Sequence, residues 1–472
     1  MTLNRRNLIK AYLAGAAFGI VGLGQKSGRA DVPPRAKRLL IFNAAGGIRN
    51  TAAFNASSQT TQNPWGVLGT YGVLKLGNVL VASPGVVSFD APSWGGLAPN
   101  GKIPGIEQVA KNFSILGAVN HDTVGFRAGD HTDEVPRMGT GYYGSGAPGA
   151  VTVMWRALSP SNPPLPAVSI GYYGWAGGAF GYASGEWLQY APVAVDSFQL
   201  PVGATLAPKP TYALEDAIDG KLRAGIDGRA GGMVDGYLGL KAALRAYGPV
   251  LTQPTLHLND SANLGASVGG ITNQMLLEAI GNIVTPTAVG DPEGVSVALA
   301  LRMLQMGSPV AMVGLGGFDR HSQEMELGPD LYTRYARMLA GIYFALSNIQ
   351  DPAGGGSMLG STLVVTTSEF DRAVNAGSSP SGFNAGDGSD HANAGGDANP
   401  HQPHVVFGAG ITPKALVPTD DANQPTSGQH STHALLATLC AAVGTPQASI
   451  DEVWPPGSPL YPEAKPIMDL WG

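Results

Sequence analysis

The sequence is short of cysteine, of charge and of long uninterrupted apolar runs. Its one cysteine, Cys440, excludes an intrachain disulfide, so stability must come from a packed core. Cys440 closes the run Ala434-Leu435-Leu436-Ala437-Thr438-Leu439-Cys440 and reads as a small buried hydrophobe. Charged residues make up only 13% of the chain and the formal net charge is −6. No basic stripe is available for phosphate backbones, so nucleic acid is not an expected partner. The apolar run Ala11 to Gly24 falls short of the ~20 residues a membrane-crossing helix needs, and no stable membrane span is expected. No tandem or collagen-like period accompanies the 67 glycines and 36 prolines, which instead announce many irregular loops.

What is present begins with the first thirty residues. A basic stretch, Asn4-Arg5-Arg6-Asn7-Leu8-Ile9-Lys10, precedes the apolar run, and a polar segment ends at Gly28-Arg29-Ala30. Two arginines, a spacer, two apolar residues and a lysine match the twin-arginine export pattern, with a cut expected between Ala30 and Asp31. Residues 1–30 are therefore expected to be a signal peptide, and the mature protein to be periplasmic or extracellular. Their loss removes five bases and no acid, taking the formal charge from −6 to −11. The remaining chain, with 44% hydrophobic residues overall, suffices for one large domain over 31–472.

Arg38 to Asn43 read as a short buried strand opening into Ala44-Ala45-Gly46-Gly47, and Phe113 to Val119 as a second. The stretch 145–285 is expected to be a loop-rich and helical insertion, Gly- and aromatic-rich to about 210 and then a helical pair over 213–247. Its aromatics Tyr172, Tyr173, Trp175, Phe180, Tyr182 and Trp187 read either as insertion core or as stacking surfaces for sugar rings. From 293 onward helix and strand alternate: a helix at about 293–306, a strand at 309–315, a helix at about 330–348, strands at 362–367 and 405–407, and a helix at about 432–443. This order predicts an α/β fold, a three-layer α/β/α sandwich with a mainly parallel sheet. Sites in such sheets form beyond the carboxyl ends of the strands.

Titratable residues gather at those ends. Asp319 and His321 follow one strand in Gly316-Gly317-Phe318-Asp319-Arg320-His321, Glu369 and Arg372 follow the next in Thr367-Ser368-Glu369-Phe370-Asp371-Arg372, and Asp390 and His391 lie in a glycine-rich loop ahead of His401 and His404. Oxygen and nitrogen donors converging from separate segments suit a divalent metal ion or acid–base chemistry.

The blocks G-G-F-D-R-H, T-S-E-F-D-R and S-D-H-A, in this order, resemble the exported bacterial family called domain of unknown function 1501, a relative of sulfatases and alkaline phosphatases. The resemblance implies an alkaline-phosphatase/sulfatase-like fold. It also implies that a nucleophile would stand nine residues before the Thr140-Gly141 pair, where this chain has His131. His131 is thus the candidate ligand or acid–base group, with Arg372 handling an anion. The strand that in such enzymes delivers a metal-binding aspartate ends here in Phe42-Asn43-Ala44, without a carboxylate. One divalent ion rather than a pair is therefore expected, drawn from Asp319, His321, Glu369, Asp390 and His391. The implied activity is hydrolysis of sulfate or phosphate esters, on an anionic small molecule or a glycan. The alternative is a non-catalytic descendant that binds a polysaccharide or an envelope partner.

Overall fold

The computed structural model describes residues 33–49, 72–76, 79–83, 88–120, 131–142, 147–161, 163–171, 179–195, 250, 253–282, 284–285, 289–369, 372–376, 389–391, 401–416, 428–455 and 465–472. The expected signal peptide and the expected helical pair at 213–247 lie outside them.

The main sheet is built on β1 (Arg38–Ala44), whose seven residues are all buried. A strand with both faces covered needs apolar side chains on each, which Leu39-Leu40-Ile41-Phe42 supplies. β1 pairs in parallel with β5 (Val310–Leu315) on one side and with β6 (Thr362–Thr367) on the other. Beyond β5 come β3 (Val168–Ile170) and β4 (Val193–Val195), both parallel. Beyond β6 comes β7 (His401–Gly408), antiparallel, then β2 (Ser114–Asn120), antiparallel to β7. Two short strands, β8 (Ala415–Leu416) and β9 (His430–Ser431), each pair in parallel with β2. Among these described strands β7 alone runs against the rest, so the sheet is mixed but mainly parallel.

Alternation along β1 sends Leu40, Phe42 and Ala44 into one core and Leu39 and Ile41 into another. The first core is closed by α3 (Asn273–Ala279), α4 (Pro292–Gln305) and α5 (Glu324–Asn348). The second is closed by α1 (His131–Thr140), α2 (Ala150–Leu158), α6 (Thr432–Ala442) and α7 (Gln447–Val453). Helices thus cover both faces of the sheet. Cys440 is fully buried in the second core, where desolvation pushes its thiol pKa up.

The structure departs locally from the sequence reading in three places. Residues 150–195, inside the stretch expected as insertion, contribute α2, β3 and β4, but strands of three residues carry too little alternation to be read. α5 begins at Glu324 rather than near 330, and runs through Pro329, which gives up one i→i−4 hydrogen bond inside the helix. His401 and His404 fall within β7 rather than before it. Among the described residues no helix is long and apolar enough to cross a membrane.

The buried histidines make stability pH-dependent. His404 is fully enclosed, its Nδ1 facing the Thr366 carbonyl at 2.7 Å, and burial lowers its pKa to about 4. His433, at the start of α6, is lowered to about 3, first by burial and further by nearby Arg137, against a hydrogen bond to the Gly141 backbone. Both are neutral when folded and protonate in the unfolded chain near 6.5, so stability is complete above that pH and is lost as pH falls toward 4. For His404 alone the loss is about 3 kcal/mol. Urea-unfolding midpoints are expected to fall steadily from pH 7 to pH 4.5, and a flat profile over that window would contradict the assignment.

Candidate metal centre

Three carboxyl-end segments meet at one place. The first follows β1, where Gly46 and Gly47 take positive φ values of 112° and 83°. A side chain at Gly46 is impossible without rearrangement, since its Cβ would stand 2.2 Å from the Asp319 backbone nitrogen. Glycine there lets the β1 loop lie directly on the loop after β5, and the Phe318 amide donates to the Ala45 carbonyl at 3.3 Å.

The second segment is the β5 loop, Gly316 to His321. Its root is fixed by the Gly316 amide, which donates to Glu293 Oε1 at 2.9 Å. Glu293 in turn is held by Arg334 Nη1 at 2.6 Å. Phe318 is buried edge-on against Tyr332 and Tyr335, with centroids at 5.4 and 5.6 Å. Asp319 and His321 follow this anchor and stand half-exposed.

The third is the turn after β6. Ser368 Oγ donates to the Ala44 carbonyl at 2.7 Å and accepts the Ile48 amide at 3.0 Å, tying this turn to the β1 loop. Glu369, buried, accepts the Gly46 amide on Oε1 at 2.7 Å.

His131, the first residue of α1, enters between these loops. Its Nδ1 lies 3.0 Å from Glu369 Oε1 and its Nε2 lies 3.3 Å from Asp319 Oδ1. The same Asp319 oxygen is 3.0 Å from His321 Nε2. The result is a line of contacts, Gly46 amide, Glu369, His131, Asp319, His321. α1 ends at Thr140, where Gly141 turns with φ 78° and the Trp454 indole donates to the Thr140 carbonyl at 2.8 Å.

His131, Asp319 and His321 can each point one donor atom at a common ion, the three atoms lying within 4.8 Å of one another. Bonds of ~2.0–2.1 Å to one ion separate neighbouring ligand atoms by roughly 3.0–3.4 Å, which brackets the 3.0 and 3.3 Å distances here. Two carboxylates, Asp319 and Glu369, stand with the two imidazoles, a donor set that suits a divalent cation. Glu369 is not in that group of three; it touches the other ring nitrogen of His131. A carboxylate on the far nitrogen of a ligating imidazole fixes its tautomer and ring orientation. Glu369 Oε2 is buried and meets no hydrogen-bond partner among the described residues.

Of the other sequence candidates, Arg372 and His391 are register partners in a two-stranded antiparallel ribbon, Arg372–Ala376 with Ser389–His391, that begins three residues past Glu369. Asp390 stands beside His391 on the same strand. At the end of β1, where no carboxylate was found, the Asn43 side chain accepts a hydrogen bond from Thr367 Oγ1 at 3.0 Å. His257 is buried, and its two ring nitrogens meet no partner among the described residues. Of the aromatic cluster, Phe180 is core and Trp187 lies under the Arg156 guanidinium at 4.4 Å, while Tyr172, Tyr173 and Trp175 fall outside the described residues. Sequence reasoning missed the Gly46 amide and Glu293; glycine in the β1 loop was the available signal for the first.

Residues 259–450 match the model of a family described as a protein of unknown function, DUF1501. Over that region the chain is similar to DUF1501. No curated protein matches the chain. The DUF1501 region contains Asp319, His321 and Glu369, while His131 is supplied from outside it.

Proposed function

We propose that this protein is an exported hydrolase of anionic esters, sulfate or phosphate, that uses one divalent metal ion on a sulfatase-like α/β fold. The observation that carries the reading is the approach of His131, Asp319 and His321 beyond the carboxyl ends of the strands, with Glu369 on the far nitrogen of His131. When bound, a divalent ion there supplies Lewis acidity toward an ester oxygen and lowers the pKa of a coordinated water. The chain's own residues do the rest. Glu369, itself fixed by the Gly46 amide, holds the imidazole of His131 with Nε2 toward Asp319. The exposure of Asp319 and His321, 46% and 52% for their side chains, leaves room for substrate on the solvent side. Arg372, Asp390 and His391 enter the proposal through their place on the neighbouring ribbon, Arg372 to offset charge that develops in the transition state.

One observation favours the alternative, a non-catalytic polysaccharide- or envelope-binding protein: Asn43 stands where a second ion would need a carboxylate. The two readings separate in one assay. Protein exported through its own signal is stripped of metal, reloaded with single divalent ions, and offered a panel of sulfate and phosphate monoesters. Metal-dependent turnover is expected, and Glu369→Gln should weaken metal affinity by about tenfold to a hundredfold through loss of the orienting carboxylate. A metal-loaded protein that leaves every ester intact would sink the enzyme and leave the binder.

A further inference from the structure

Arg320 lies in the chain between Asp319 and His321, and its guanidinium is the anomaly of the site. It is half-buried, and its Nε is shut off from solvent with no hydrogen-bond partner. Nor does the group form an ion pair or a ring contact with any described residue. Other buried or half-buried arginines each place at least part of the guanidinium on a partner, although the Nε of Arg302, like that of Arg320, meets none among the described residues. Arg49 is bidentate on Glu324 at 2.8 and 3.0 Å, Arg334 holds Asp291 and Glu293, and Arg302 reaches the Ile271 carbonyl and Asn273.

Covering the Nε–H of a guanidinium without a partner is costly, because the group cannot escape by losing its proton and that N–H forfeits water. A solvated surface arginine would bear no such cost. The acids around the loop are already engaged, Glu293 with Arg334 and the Gly316 amide, and Asp319 with two imidazoles. The backbone beneath is fixed as well, since Gly317 turns at φ 92° with Arg320 Nη2 only 3.6 Å from where its Cβ would stand. The loop that carries Asp319 and His321 therefore also carries a guanidinium without a partner among the described residues.

We propose that Arg320 binds the anionic group of the ligand, a tetrahedral oxoanion of the sulfate or phosphate class. Its N–H fork matches two oxygens of such a group at once. The inference deepens the proposed function by naming the anion-holding residue, and it stands on Arg320 alone rather than on the metal.

The test is calorimetric titration of the full chain with inorganic sulfate, inorganic phosphate and acetate, with metal content measured on the same samples. Saturable binding of sulfate or phosphate is expected. Arg320→Ala should weaken it about tenfold to a hundredfold, and Arg320→Lys should retain an intermediate affinity, with metal content unchanged in both. Wild-type protein that binds neither oxoanion, or an Arg320→Ala protein that binds them undiminished, would overturn the assignment. Acetate bound as tightly as phosphate would overturn the choice of a tetrahedral group. If Arg320→Ala fails to fold, Arg320→Lys carries the test, and full wild-type affinity with that shorter, unforked cation counts against a bidentate role. Wild type that retains no divalent ion after loading yet still takes up oxoanion through Arg320 would remove the metal centre and leave this inference standing.

Discussion

Asp319→Ala is expected to lower divalent-ion affinity by more than the tenfold to hundredfold cost of losing an orienting carboxylate. Asp319 is the one member of the three-residue group that touches both others, its Oδ1 lying 3.3 Å from His131 Nε2 and 3.0 Å from His321 Nε2. Removing it takes the carboxylate from the group and leaves two imidazoles, one donor and one negative charge fewer for a divalent ion. The backbone of the loop should persist, because its anchors are the Glu293 contact to Gly316 and the buried Phe318 ring rather than the Asp319 side chain. Thermal unfolding of metal-free Asp319→Ala should thus resemble that of the metal-free parent, while dialysis against metal separates the two. Equal metal uptake by both would contradict the ligand assignment.

The largest expected effect on stability is that of Arg49→Ala. Arg49 and Glu324 form a forked ion pair with side-chain exposures of 0% and 3%, and the Arg49 amide donates to Tyr332 Oη at 2.7 Å. Truncating one partner strands the other charge away from water, at a cost of about 3–5 kcal/mol. The pair also pins the end of the β1 loop to the first turn of α5, and the same loop donates the Gly46 amide to Glu369. Loss of stability should therefore be accompanied by weaker metal binding, with both measured by denaturant titration and equilibrium dialysis. The double variant Arg49→Met with Glu324→Leu removes both charges and should recover much of the stability. A small effect from Arg49→Ala alone would mean the pair is open to water in solution.

How much of this was legible depended on how local the determinant was. β1, β5 and β6 could be read because each is centred on a run of consecutive apolar or β-branched residues, as suits strands covered on both faces. β3 and β4, three residues each, depend on neighbours for their identity as strands. His131, Asp319, His321 and Glu369 could be singled out because each stands just past a strand or at the start of a helix, where an α/β sheet collects polar groups. Their division of labour could not. Glu369 reads as a ligand from its residue type, and only the three-dimensional approach of His131 Nδ1 to its Oε1 sets it apart from the group of His131, Asp319 and His321. Arg320 was visible in the G-G-F-D-R-H block, yet the feature that makes it informative, the lack of any partner among the described residues, belongs to tertiary structure alone.

The central claim is that His131, Asp319 and His321 hold one divalent ion. Its most direct test is the metal stoichiometry of the purified full-length chain, measured by inductively coupled plasma mass spectrometry after saturation and removal of free ion. The account predicts about one ion per chain for the parent protein and none for Asp319→Ala. A parent that retains no ion, or an Asp319→Ala protein that retains as much as the parent, would contradict it.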